Sequence, residues 1–600
     1  MFRTLKRLCL PNPLDSLLRK CAKRGGKRIL LGWNRGLGDI ALGLFAIVHR
    51  IREMVPHAEI TFLTRPNLQD GFSLLHGVEV LVDSNLQRGF KKNVRRSLQE
   101  MGVDPSSFDL IIDQPSPTDW VRWQRGKLTP RLTWNPAYDD LWQSFSLSDE
   151  YIYIGVQVEV ETTYGSWRNW PLPHWKDLFE KLQQWPQVRI LLLGSEAKTS
   201  FSYPHVIDLR GKTTLFELLS IVKHRCRYMI LPDSGILSMV YYLDQQFPLD
   251  LLTFWGDPRH GVLKQAVASP NLQLKHHPLV GEIKNLSTIS TEKVIHTLFP
   301  LRPLRSCPSY KEAQMGSLDR VGAILLAGGQ GSRLGMRGPK GMFMVGGKSL
   351  FQRICEKLPP KMPMAIMTSP LNHQETLTFF VKNDFFGREI LFFQQEMYPF
   401  LDAKKRPLRF QAPNGNGSFF RSFVASGTAA RLQEKGVDLL TVIPVENLLA
   451  DPADLSLIGY ARETQSDVVL KCIPRALPQE SMGSLFERQG RIEIVEYINL
   501  ASHTEKGLYC NTGMMAMTLS FCAQMAYQKL PVHWVKKMIP EVQQWGWKGE
   551  QFIFDVLPFG KVSALCYPRE LCYAPIKTKE SVQKIEGLVA KLSDSLTEAR

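Results

Sequence analysis

Short apolar runs recur through the first half of the chain, at Arg28–Leu31, Glu59–Leu63, Leu110–Asp113, Tyr151–Val156, Arg189–Leu193, Tyr228–Leu231 and Leu251–Phe254. Longer amphipathic stretches separate them. Buried parallel strands read as near-continuous apolar runs, and the stretches between them read as crossover helices. The pattern therefore predicts an α/β fold built on parallel sheets. Trp134 to Ser148 interrupts it, which divides residues 27–300 into two lobes, about 27–145 and 150–285. A Pro- and Ser-containing stretch, 301–317, reads as an inter-domain linker. Residues 318–600 then start again with the apolar run Val321–Leu326. Near the N-terminus, Leu14, Leu17, Leu18 and Cys21 fall at helical spacing among Arg19, Lys20, Lys23 and Arg24. This leader, 1–26, reads either as a solvated segment or as a short helix lying on an anionic membrane surface.

Composition narrows the picture. Six hundred residues exceed one hydrophobic core, so several domains are expected. No run is long and apolar enough to span a bilayer, and the basic start lacks the apolar core of a secretory signal. Ten scattered cysteines show no metal-ligand or disulfide spacing, which points to a reducing cytoplasm. The formal net charge of +17 is uneven. Residues 1–28 carry nine Lys/Arg and one Asp, whereas 29–300 carry 28 residues of each sign. The concentrated charge is a terminal patch and not a groove, which argues against a nucleic-acid partner.

The apolar run at Val321 opens into Ala327-Gly328-Gly329-Gln330-Gly331-Ser332-Arg333, followed by Pro339-Lys340-Gly341. Glycines let backbone N–H groups close around phosphates. Arg333 and Lys340 supply positive charge where phosphate charge moves, so both are candidate catalytic groups. With Ile366-Met367-Thr368-Ser369, Phe392-Phe393-Gln394-Gln395, Ala412 to Gly417, Val495-Glu496-Tyr497, Cys510-Asn511-Thr512-Gly513, Lys548 to Asp555 and Tyr573 to Lys577, this half resembles the UDP-sugar pyrophosphorylase family, most closely its UDP-N-acetylhexosamine branch. The resemblance implies a GT-A-like, Rossmann-like nucleotidyltransferase domain over 318–600. It implies that UTP and a sugar-1-phosphate give a UDP-sugar, most closely UDP-N-acetylglucosamine, and pyrophosphate. By the same resemblance Gly328, Gly329 and Gly331 hold the nucleotide, and Gln395, Gly415 and Asn416 read the uridine. Gly483, Glu496 and Asn511 hold the sugar, and Lys577 grips its phosphate. Glu446 stands where the family has an Asp that helps hold Mg²⁺. Asn414 and Ser418 replace an Asp and a Gly of the uridine loop. Taken singly, Phe552 and Phe554 read as core residues and Lys548 as a solvated lysine.

In the first half, Trp33 to Ile40, Arg168 to Trp175, Leu191 to Glu196, Asp208 to Leu215 and Pro232-Asp233-Ser234-Gly235 together resemble the heptosyltransferase family of lipopolysaccharide biosynthesis. That implies two facing Rossmann-like lobes, the GT-B arrangement. Asp39 matches the family's base for the acceptor hydroxyl, Arg168 its phosphate-gripping cation, and Asp233, Ser234 and Gly235 its diphosphate turn. Ser238 stands where the family has His, and its later loop is shortened to Phe254-Trp255-Gly256-Asp257-Pro258. The sequence thus suggests a bifunctional cytoplasmic enzyme of cell-envelope sugar metabolism. Its partners would be a nucleotide-heptose donor and a lipid-linked or oligosaccharide acceptor, with peripheral contact to the inner membrane surface through the leader. Two alternatives are a uridylyltransferase for glucose-1-phosphate or another hexose-1-phosphate beside an inactive first half, and a nucleotide-sugar-binding pseudoenzyme.

Overall fold

The computed structural model describes residues 12–89, 93–160, 165–336, 338–477, 479–496, 507–539, 542–578 and 581–582. The chain divides into two compact units, Met1–Pro300 and Leu301–Arg600.

The first unit holds two parallel sheets. Strands β1 (Arg28–Gly32), β2 (Glu59–Thr64), β3 (Val78–Val82) and β4 (Leu110–Ile112) form one, in the order β3-β2-β1-β4. Strands β5 (Ile152–Val156), β6 (Val188–Leu192), β7 (Val206–Asp208), β8 (Cys226–Pro232), β9 (Leu249–Trp255) and β10 (Leu274–Val280) form the other, in the order β10-β9-β8-β5-β6-β7. Every predicted strand of this half lies in one of them. Their centres are apolar on both faces: Ile29, Leu30 and Leu31, like Ile230 and Leu231, have no exposed surface. The break at 134–148 is a 3₁₀ segment, Pro136–Phe145, between the two sheets in sequence.

The leader departs from expectation. Pro13–Lys23 is a helix capped by Asn12, whose side chain accepts from Leu14 N. Its apolar stripe is already spent: Leu14 and Leu18 are fully buried, and both join the core of this unit with Cys21. Asp15 is clamped by Arg50 of the helix Phe45–Met54, at 2.9 and 2.8 Å. The helix docks on protein, so the reading of this segment as a membrane-surface helix is withdrawn. Residues 1–11 lie outside the described residues.

The second unit is centred on β11 (Val321–Leu326). Parallel neighbours are β12 (Met364–Thr368) and β14 (Leu439–Pro444), with β13 (Ile390–Gln394) beyond β12. Antiparallel to β14 runs β16 (Tyr509–Thr518), which also pairs with β15 (Val468–Pro474). Alternate side chains of β11 enter opposite cores: Val321, Ala323 and Leu325 one, Ile324 the other. A separate four-stranded outer sheet has the order Pro407–Pro413, Met397–Leu401, Gln544–Glu550, His533–Ile539. Residues 301–317 do not form a free tether. Arg302 and Pro303 pair with Glu487 and Phe486, Leu304 N donates to Leu485 O, and Tyr310 N donates to Cys566 O. Edge pairing is where a sheet tolerates proline, so composition that reads as linker here makes a sheet margin.

Candidate active sites

In the second unit the end of β11 turns back on itself. Lys340 N donates to Gly329 O at 3.2 Å, and Gly331 N to Gly338 O at 3.0 Å. Asn372 pins the loop from below, its amide donating to Ala327 O at 3.0 Å and Gly329 O at 3.2 Å. The carboxamide of Gln395, held by Gln395 N donating to Thr368 O, lies over the loop. A Cβ on Gly328 would stand 2.2 Å from Gln395 Nε2, so a larger residue there would displace that carboxamide.

This loop forms one wall of a cavity of about 730 Å³. Gly329, Gly331, Lys340, Gln395, Gly415 and Asn416 line one part of it, and Glu446, Gly483, Glu496, Asn511 and Lys577 another. The structure therefore brings together the residues singled out in this half. Arg333 is the exception: its backbone sits in the 3₁₀ turn Ser332–Leu334, and its side chain lies outside the described residues.

Local structure explains these placements. Gly415 has φ of +90°, and its Cβ would meet Gln551 O at 2.4 Å. The turn is locked by Gly417 N donating to Gln551 O, and by Ile553 N donating to the Asn416 side chain at 3.0 Å. Lys340 Nζ lies 3.6 Å from Glu446 Oε2. Ile576 N donates to Glu446 O, and the Asn447 side chain joins Cys572 O to Ala574 N, so Glu446 and Lys577 are set by one backbone ladder. Gly483 and Glu496 flank the hairpin Ser484–Arg488/Arg491–Val495, and Asn511 N donates to Gly483 O. Burial pushes the Glu496 carboxyl up, against the positive fields of His533 and Lys577. His533 is itself raised by its hydrogen bond to Asp555, at 3.0 Å.

Several groups here carry no loop signature of their own. Lys537 and Glu550 line the cavity, and Lys548 donates to Glu550 at 2.6 Å. Lys548 is thus a wall residue and not a solvated one. Phe552 and Phe554, expected in the core, also reach the cavity, although Phe554 packs against the core as well. Asn372 and His533 were not singled out, and Gln551 and Asp555 entered only as members of the Lys548 to Asp555 motif, because a polar residue shows no role until the fold brings its partner.

The first unit has its own cavity, of about 1350 Å³. Asp39, Arg168, Asp233, Ser234 and Gly235 all line it. Asp39 directly precedes a π-helical turn, Ile40–Leu44, that runs into the helix Phe45–Met54; such turns are frequent at functional sites. Burial raises the Asp39 carboxyl to about 6, with Gly36 N–H, Arg35 and Arg88 opposing and Asp233 adding to the rise. Burial also raises Asp233, against Arg168 and His260, and Arg168 Nη2 lies 3.5 Å from its carboxylate. Ser234 caps the helix Gly235–Tyr241, accepting from Leu237 N. Ser238 is buried beside Gly38, whose Cβ would stand 3.0 Å from Ser238 Oγ.

Residues 281–546 match the UTP--glucose-1-phosphate uridylyltransferase family. The match covers the glycine loop and most of the second unit's cavity. A Schizosaccharomyces pombe protein named "Probable UDP-N-acetylglucosamine pyrophosphorylase" is 31% identical over 315 residues, which cover 43% of this chain and 66% of that protein. UDP-N-acetylglucosamine diphosphorylase 2 of Arabidopsis thaliana is 33% identical over 307 residues, covering 43% and 61%. The match thus spans less than two thirds of either relative. The crystal structure of the Trypanosoma brucei uridine diphosphate N-acetylglucosamine pyrophosphorylase with an inhibitor aligns at a TM-score of 0.41 and 25% identity, over 46% of this chain and 66% of that one.

Proposed function

We propose that the second unit is a uridylyltransferase that forms UDP-N-acetylglucosamine and pyrophosphate from UTP and N-acetylglucosamine-1-phosphate. The observation that carries this reading is the joining, in one cavity, of the glycine loop with Lys340, the Gln395–Asn416 wall, and the Gly483–Glu496–Asn511 end with Lys577. A sugar phosphate oxygen would attack the α-phosphorus of UTP, and the bond to the β-phosphate oxygen would break. Such transfers need positioning and charge neutralisation more than covalent help. Lys577 would hold the attacking phosphate and Lys340 the departing pyrophosphate. Gln395 and Asn416 present amides that both donate and accept, which suits the uracil edge. The carboxylate of Glu496 suits paired sugar hydroxyls.

Mg²⁺ belongs to this proposal. Among the described residues no group of three or more His, Cys, Asp or Glu is placed to hold a metal. A single carboxylate beside the phosphate loop still fits an ion that takes its other ligands from phosphates and water, and Glu446 is that carboxylate. The ion would neutralise polyphosphate charge.

The test is pyrophosphate release from UTP and Mg²⁺ with a panel of sugar-1-phosphates. N-acetylglucosamine-1-phosphate should turn over fastest, and Lys340→Ala should cost about 10²–10³-fold in kcat. Faster turnover of glucose-1-phosphate would reassign the sugar. UTP binding without release for any sugar would leave a nucleotide-sugar-binding protein.

For the first unit, the raised Asp39 carboxyl beside the Arg168–Asp233 turn favours a heptosyltransferase-like glycosyl transfer, with Asp39 as the base and the turn at Ser234 receiving the donor diphosphate. Donor turnover that is unchanged in Asp39→Ala would remove that role.

A further inference from the structure

The outer sheet of the second unit has two unlike faces. Its pairing places Trp534 opposite Gly549, Lys536 opposite Trp547, and Met538 opposite Trp545, so these residues share one face. The intervening positions form the other face, where Lys537, Lys548 and Glu550 line the cavity and Ile539 packs with Phe400 and Ala412. The first face points to solvent. Trp545 is 62% exposed, Trp534 40% and Met538 38%, and Arg409 is exposed on the edge strand Pro407–Pro413, one strand removed. Large apolar side chains gathered on an outward face mark an interaction surface.

We propose that this face docks on the surface of an anionic lipid bilayer. Two observations select that occupant. The first is charge. Lys405 stands over the rings of Trp547 and Trp534, Lys536 shares their face opposite Trp547, and Lys404 and Arg409 are exposed on the turn and edge strand of the same sheet. Among the described residues the paired outward positions of His533–Ile539 and Gln544–Glu550 carry no carboxylate. Asp402, in the adjoining turn, is taken up by Arg406 at 2.8 Å and by Lys404 N. Tryptophans with a rim of Lys and Arg match the interfacial zone of a membrane, where the rings sit at headgroup level and the cations meet anionic lipid. The second is the state of the rings. Lys405 Nζ lies 3.8 Å from the Trp547 ring centroid and 5.5 Å from that of Trp534. Sugar rings and nucleobases stack best between neighbouring open aromatic faces, and here Lys405 covers Trp547 and stands beside Trp534, which leaves Trp545 as a single open ring. Insertion of Trp545 and Met538 into the headgroup layer needs no open ring face.

Co-sedimentation of the full chain with vesicles tests this, comparing phosphatidylcholine alone with phosphatidylcholine plus phosphatidylglycerol. Binding should require the anionic lipid and weaken with salt. Trp545→Glu with Met538→Glu should lower partition about tenfold or more, and Lys404→Glu with Arg409→Glu similarly. Leu272→Glu, at an 88% exposed apolar position of the first unit, should leave partition unchanged. Melting curves and UTP binding report that the variants fold. Partition equal on neutral vesicles, partition unaffected by either double substitution, or capture of single-stranded oligonucleotide in place of vesicles would overturn the proposal. The basic N-terminal residues are present in every variant, so binding through them would show as the second of these outcomes.

Discussion

Gly328 leaves open the space that the Gln395 carboxamide fills, so an added Cβ would push that side chain from its place in the cavity wall. Gly328→Ala should therefore weaken UTP binding at least tenfold without unfolding the unit, as read by calorimetric titration and a melting curve. Combining it with Gln395→Ala should bring back no more than part of that loss if Gln395 also reads the base. Asp39 makes a different prediction. Its carboxyl is raised from an ordinary 3.8 to about 6 by burial, so the native state holds its proton longer than the unfolded chain does. Stability of the first unit should then fall as pH rises from 4 to 6, by up to about 3 kcal/mol, and level off above. Asp39→Asn should remove that slope and melt higher at pH 7 while losing donor turnover; a melt indistinguishable from the parent at pH 7 would contradict the buried charge. Much at this scale was legible. Gly328 and Lys340 sit in a motif whose residue types suit phosphate, and the family resemblance pointed to Gln395, Asn416 and Lys577, which line the same cavity. Asn372 and the pairing of His533 with Asp555 could not be read, since each depends on a partner that only the tertiary fold supplies.

Among the elements, β15 is fastened by a buried ion pair. Lys471 meets Asp454, both nearly without exposed surface, and Asp454 also accepts from Tyr567 at 3.0 Å and caps the helix Leu455–Thr464. Asp454→Ala would strand a buried ammonium and remove the cap together, for a loss of about 3–5 kcal/mol in a denaturant titration. Lys471→Met with Asp454→Ala should recover part of it. Thr512 Oγ1 donates to Lys471 O, so the damage should reach Asn511 at the sugar end and raise KM for the sugar phosphate. The strands of the first unit were legible because continuous apolar runs leave little choice but a buried parallel strand. The leader helix was legible as a helix but not in its partner: an apolar stripe states that something must cover it, and here Phe45–Met54 does. The margin 301–317 was misread for the complementary reason, since Pro and Ser report backbone restriction and polarity and not whether a neighbouring edge is open.

For the whole molecule, the division at Pro300 predicts that residues 301–600 produced alone retain pyrophosphate release and vesicle binding. A fragment starting at 318 should melt lower, because it uncovers the edge at Phe486 and Glu487 and the seat of Leu304; equal melting of the two would show that the margin contributes nothing. The outer sheet carries a further constraint. Odd positions of His533–Ile539 serve the cavity and even positions serve the outward face, so function is written there in parity. Adding one residue to the connection between Ile539 and Gln544 would turn Gln544–Glu550 over, sending Trp545 and Trp547 toward the cavity and Lys548 and Glu550 toward the lipid. Adding two would preserve both. Length change in this hairpin should therefore be tolerated in steps of two, and a single inserted residue should silence catalysis and membrane docking in one stroke.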